Sequence, residues 1–184
     1  MQVSMPIPGD EMRRSGEQLR LLAGLLSMPD QDAREIIQGL AEQHPWLAEA
    51  AEELGSTPLE QWQGEYTRLF ISGFPKTACP PYESAYRSGT MQGPTVAKLE
   101  RLYAQLGMRS SEMPADYLGV MLECAALLED GQQRPELRQR LWDEHLSRWL
   151  ADFANDLSQQ SELALYRALG LQLLGLSADR AGHE

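Results

Sequence analysis

Three histidines, two cysteines and an excess of carboxylates are the groups with which this chain of 184 residues could do chemistry. His44 falls at a helix start, His145 inside a long helical pattern and His183 in a polar tail, so none has a partner at metal-ligand spacing. The HExxH, GxSxG, P-loop and GxGxxG patterns are absent, which leaves no motif for metal-assisted hydrolysis, acyl transfer or phosphate cradling. Cys79 and Cys124 lack CxxC spacing and read as reduced thiols, Cys124 on an apolar helix face and Cys79 beside two prolines, open to solvent. What remains is recognition chemistry. Tyr82, Glu83, Ser84 and Tyr86 sit together in a proline-bounded stretch, and Pro114, Asp116 and Tyr117 in a second one. Carboxylates pair with arginine forks by charge-assisted bonds, and aromatic rings with Leu69 and Phe70 could receive the apolar face of a helix. Each residue also has a plainer reading. Asp116 would complement a helix dipole, Leu69 and Phe70 would be core, and the tyrosines would pin a loop. Ser84 has no neighbouring base that would make it a nucleophile.

The elements that must position these residues are helices. Leu19, Leu22, Ala23 and Leu26 recur at the spacing of a packed helix stripe, which outweighs the likeness of Arg13-Arg14 and the short apolar run after it to an export leader. Residues 1–10 are expected to fray. Pro29-Asp30 starts a helix to about Gln43, Pro45 begins another that Gly55 closes, and Thr57-Pro58-x-Glu60 reads as a capping box. Further stripes run from Val96 to Leu106 before Gly107, from a start at Pro114 to near Gly131, and from Pro135 through Trp142, Leu146, Trp149, Phe153 and Leu157. The last helix spans about Glu162 to Leu176, and 177–184 are expected to be loose. No stretch alternates with period two. The expectation is one all-α domain over 1–184, a bundle of about eight helices, interrupted at 71–90 by a Gly/Pro-rich link that could act as a hinge.

Composition bounds the rest. At 42% hydrophobic residues the chain can bury one sizeable core, and no apolar run approaches the roughly 18 residues of a membrane span. A formal charge of −11 argues against nucleic acid or an anionic membrane as the main partner, and permits a basic one.

Three motifs, in order, resemble one family. Tyr66-x-x-Leu69-Phe70 followed by Pro81-Tyr82-Glu83-Ser84-x-Tyr86 is similar to the signature of the TorD/DmsD redox-enzyme maturation chaperones, a group that includes NarJ-like proteins. Met113-Pro114-Ala115-Asp116-Tyr117-Leu118 resembles their Glu-Pro-x-Asp-His-Leu motif, with Met113 in place of Glu and Tyr117 in place of His. His145-Leu146-x-x-Trp149, with Phe153 and then Leu165-Tyr166, forms a weaker third.

The resemblance implies a cytoplasmic chaperone, without catalysis or a cofactor, that binds the twin-arginine leader or body of an immature molybdopterin oxidoreductase catalytic subunit until its cofactor is inserted. It implies a leader-binding set of Leu69, Phe70, Tyr82, Glu83, Ser84, Tyr86, Pro114, Asp116 and Tyr117, no metal, and a monomer or a domain-swapped dimer. Other readings stay open: a chaperone of a nitrate-reductase-type subunit that needs no leader, a helical adaptor, or a small enzyme or nucleotide-binding protein, although no phosphate-cradling motif is visible.

Overall fold

The structure, a computed structural model, describes residues 8–74, 76–89, 93–109, 112–131 and 134–181. Residues 1–7, Pro75, Thr90 and 182–184, which fall within the expected frayed ends and link, lie outside the described residues. The described residues form ten α-helices and no strand, an all-α architecture as the periodicity requires. They are α1 (Pro8–Gly24), α2 (Ala33–Gln43), α3 (Ala48–Ser56), α4 (Leu59–Tyr66), α5 (Glu83–Arg87), α6 (Pro94–Gln105), α7 (Leu118–Gly131), α8 (Pro135–Arg140), α9 (Leu150–Gln160) and α10 (Ala164–Ala181). Two π-helical turns, Thr67–Ile71 and Leu141–His145, extend α4 and α8.

Several boundaries differ from the sequence reading for physical reasons. Thr57 does not cap α4; its hydroxyl donates to the Glu53 carbonyl at 2.8 Å, closing α3, and Pro58 takes the cap position. Gly55 lies inside α3, whereas Gly107 takes the left-handed φ of 70° that stops α6. Pro114 does not open α7: Pro114 to Tyr117 form a turn closed by the Tyr117 N–H on the Pro114 carbonyl at 3.0 Å. The long helix expected from Pro135 breaks after Arg148, where Trp149 adopts φ −151°. Within the expected link, Glu83–Arg87 is helical, and the expected loose tail is helical to Ala181.

The chain groups into two compact units, each assembled from two separate segments. One comprises the described parts of Met1–Leu26 and Tyr82–Arg148. Here α1 packs along α7, and Arg20 reaches Asp130 at 2.5 Å. Leu19, Leu22, Leu118, Met121, Leu122 and Ala125 are buried in this unit. Cys124 is buried as well, and burial pushes its thiol up to about 12.

The other unit comprises Ser27–Pro81 and the described part of Trp149–Glu184. Its centre is aromatic: the Phe70 ring lies 5.3 Å from that of Tyr166 and 6.5 Å from that of Phe153. The Trp62 indole N–H donates to the Tyr166 hydroxyl at 2.9 Å, which satisfies both buried polar tips. Helices α9 and α10 approach closely at Gly170, where a Cβ would stand 2.8 Å from the Ala154 carbonyl oxygen. Cys79 is fully buried here rather than open to solvent, its N–H bonded to the Leu69 carbonyl at 2.7 Å. Desolvation, reinforced by Asp156 and Glu65 and opposed by Arg68, pushes its thiol up to about 12. Among the described residues no helix is long and apolar enough to cross a membrane, and no cluster of His, Cys, Asp or Glu could hold a metal ion.

Candidate functional site

The first unit joins parts of all three sequence motifs around α5. That helix has five residues, far below the roughly 12 at which an isolated helix becomes even marginal in water, so tertiary partners must hold it. They act at both ends and on one side.

At the N-terminal end the partner is Asp116. Its carbonyl accepts the Glu83 N–H at 3.1 Å, and its carboxylate accepts the Ser84 N–H at 3.0 Å. Asp116 therefore caps a helix that begins in a different segment, satisfying two amide donors that the first turn leaves without intrahelical acceptors. It is buried, and the turn that carries it is itself pinned, because the Tyr103 hydroxyl of α6 donates to the Ala115 carbonyl at 2.7 Å.

The side is held by Glu83, whose side chain is fully buried. His145 Nδ1 lies 2.9 and 3.2 Å from its two carboxylate oxygens, so the ring N–H donates to the carboxylate. Arg87, one turn further along α5, donates to the same carboxylate and, at 3.0 Å, to the Glu144 carbonyl. A buried carboxylate is tolerated only when paired and hydrogen-bonded, and Glu83 has both a cationic and an imidazole donor. His145 arrives by way of the π-turn Leu141–His145; such turns are frequent at functional sites.

The side of α5 next to Glu83 is aromatic and partly open. Tyr82 and Tyr86, four residues apart, are both half-buried. Tyr82 bridges Tyr117 as an isolated antiparallel pair, with ring centroids 5.7 Å apart and planes inclined at 49°. Burial raises the Tyr82 phenol above its ordinary value, and the Asp116 charge adds to the effect. The Tyr117 ring lies against Gly119, where a Cβ would come within 2.5 Å of it, and its hydroxyl donates to the Leu26 carbonyl at 3.0 Å. Pro114 and Met113 stand exposed beside this turn in the sequence.

The structure thus brings Tyr82, Glu83, Ser84, Asp116 and Tyr117 together, with Tyr86 on the same short helix and Pro114 in the same turn. Leu69 and Phe70 belong to the other unit and are buried in its aromatic centre. Glu83 and Asp116 are engaged internally rather than presented to solvent. His145 and Arg87 were not among the candidate residues. His145 belongs to the third motif, but nothing in one sequence pairs it with Glu83.

Known proteins share this chain's sequence pattern and its fold. Residues 33–155 match the model of the family described as nitrate reductase delta subunit. The chain is 28% identical over 116 residues to the chaperone protein YcdY of Escherichia coli (strain K12), covering 62% of this chain and 60% of that protein's length. Its fold matches a crystal structure assigned as a redox enzyme maturation protein from Archaeoglobus fulgidus, with a TM-score of 0.67, 28% identity, and coverage of 95% of this chain and 97% of that one. These relatives carry the names of chaperones and maturation proteins, not of catalysts, in keeping with the absence of catalytic motifs. The chain belongs to the nitrate reductase delta subunit family, the NarJ/TorD-type redox-enzyme maturation chaperones that its motifs resemble.

Proposed function

We propose that this chaperone binds the twin-arginine leader of an immature molybdopterin oxidoreductase subunit in the cytoplasm, and delays its export while the cofactor is inserted. The observation that carries the reading is the half-buried pair of rings, Tyr82 and Tyr117, held 5.7 Å apart at the junction of two family motifs. With Tyr86 and the exposed Pro114 they supply apolar and aromatic surface for a leader helix. Aromatic anchors of this kind dominate binding energies at protein–peptide interfaces.

The buried carboxylates enter this reading differently from the sequence expectation. Glu83 and Asp116 hold α5, so the leader's arginines are assigned to an exposed acid of the same unit, Glu112, next to Met113 and Pro114 in the α6–α7 connection; Glu144 already pairs with Arg140 at 3.5 Å. Leu69 and Phe70 act as core. The overall charge of −11 attracts a basic leader. Calorimetric titration with a synthetic leader, its arginine pair intact or changed to glutamine, tests this. Binding that is weakened by the change and by added salt supports the reading; no binding of either peptide refutes it.

A second reading follows from the family's description as a nitrate reductase subunit. In it the chaperone holds the body of a leaderless nitrate-reductase-type subunit. Capture of the apo-subunit lacking any leader, with affinity equal to that of the leader-bearing form, would favour this second reading.

A further inference from the structure

We propose that His145 is a positioning residue for client binding: by holding Glu83 it fixes the rotation of α5, and so sets which faces of Tyr82 and Tyr86 meet the client. The proposal rests on the reading of those tyrosines as client contacts.

A helix of five residues has almost no stability of its own. Its axis is fixed at one end by the two bonds to Asp116, at 3.1 and 3.0 Å, and near the other by the Arg87 bond to the Glu144 carbonyl at 3.0 Å. Rotation about the axis is restrained further by the group that α5 buries. That rotation is set by Glu83, the one α5 carboxylate that points inward, and its inward partner is His145 Nδ1 at 2.9 Å. Residues four apart share a helix face: Arg87, itself exposed, reaches back to the buried Glu83 carboxylate, while Tyr82 and Tyr86 lie half-buried on the adjacent face. Turning α5 enough to release Glu83 would carry Tyr86 with it and strain the Tyr82–Tyr117 pair that leads into the helix. Two successive residues of the same π-turn, Glu144 and His145, bond Arg87 and Glu83, so the turn and α5 are tied at both ends of the helix.

The two amide substitutions of His145 separate positioning from bulk stability. His145→Asn places an amide donor near the position of Nδ1, whereas His145→Gln places its donor near Nε2. Both remove the imidazole and leave a neutral polar side chain. Amide hydrogen exchange of Ser84 and Ser88, the α5 amides bonded to the Asp116 carboxylate and the Ser84 carbonyl, is measured in the free protein. A synthetic twin-arginine leader is titrated into the same samples, and the thermal midpoint is recorded. The proposal expects His145→Gln to speed exchange at both amides and weaken the leader by about tenfold. His145→Asn should restore both to within about twofold of the unsubstituted protein, the leader being titrated well below the melting temperature of each variant. Equal exchange and equal affinity in the two variants overturn it. So does an affinity loss that follows the melting temperature rather than α5 exchange. If exchange separates Asn from Gln but the unsubstituted protein binds no leader, the fixed α5 stands and the client reading falls. If the leader binds all three proteins alike, the client reading stands and the positioning role falls.

Discussion

The Glu83 carboxylate and His145 Nδ1 meet at 2.9 Å with 0% and 3% of their side chains exposed, and this pair is the side restraint on the short helix α5. Removing one partner of a buried hydrogen bond leaves the other polar group unsatisfied, a change that costs about 1–3 kcal/mol and more for a charged group. Glu83→Ala should therefore destabilise the fold by about 3 kcal/mol, read by urea unfolding. Glu83→Gln, which keeps an acceptor oxygen for the imidazole, should cost less than half as much. Equal losses for the two would mean that the carboxylate's charge and bonds contribute little and only its volume counts.

Asp116 was a candidate for receiving leader arginines, but its carboxylate already accepts the Ser84 N–H at 3.0 Å. Asp116→Ala should cost about 1 kcal/mol, the usual loss of a cap. Asp116→Asn, which retains the acceptor, should cost less. In a double-mutant cycle with a leader whose arginines are changed to glutamine, Asp116→Asn should be additive, with coupling below about 0.5 kcal/mol. Coupling of 1 kcal/mol or more would return Asp116 to the list of direct arginine partners.

Both thiols are buried and are raised from 9.0 to about 12. Neither should react with a thiolate-directed reagent at pH 8 in the folded protein, and both should react on unfolding. The linkage has a definite sign. Above pH 9 the unfolded chain loses these protons first, so stability should fall as pH rises from 9 to 12. Fast labelling of either cysteine in the folded protein would contradict this burial.

Leu69 and Phe70 are fully and almost fully buried. Leu69→Ala should lower stability by about 2–5 kcal/mol, with any loss of client affinity following the loss of folded protein. An affinity loss at unchanged stability would instead restore Leu69 to a binding surface.

How much of this could be read in the sequence depends on the range of the interaction. The stripes of Leu19–Leu26 and Leu118–Leu128, the stop at Gly107 and the all-α class are local signals, because a 3.6-residue period and a left-handed glycine act within one turn or a few. The break at Trp149 and the π-turns carried no such signal, since Trp142, Leu146, Trp149 and Phe153 keep helical spacing across them. Within the site, the types of residue were legible and their partners were not. Asp116 looked like a cap for the helix that follows it, yet its donor is Ser84, 32 positions away. Glu83 looked like an ordinary loop carboxylate, because His145 is 62 positions distant. One chain without its relatives does not reveal pairings at that range.

Whether the aromatic side of α5 meets the client's leader is read from one titration. A synthetic leader with its arginine pair and apolar run, taken from a molybdoenzyme subunit of the same genome, is titrated into the unsubstituted protein and into Tyr82→Ala/Tyr86→Ala, with both proteins verified as folded by circular dichroism. The account predicts binding to the first and a loss of at least about tenfold in the second, since truncating aromatic anchors costs about 2 kcal/mol or more. Equal affinity for the two folded proteins would contradict it.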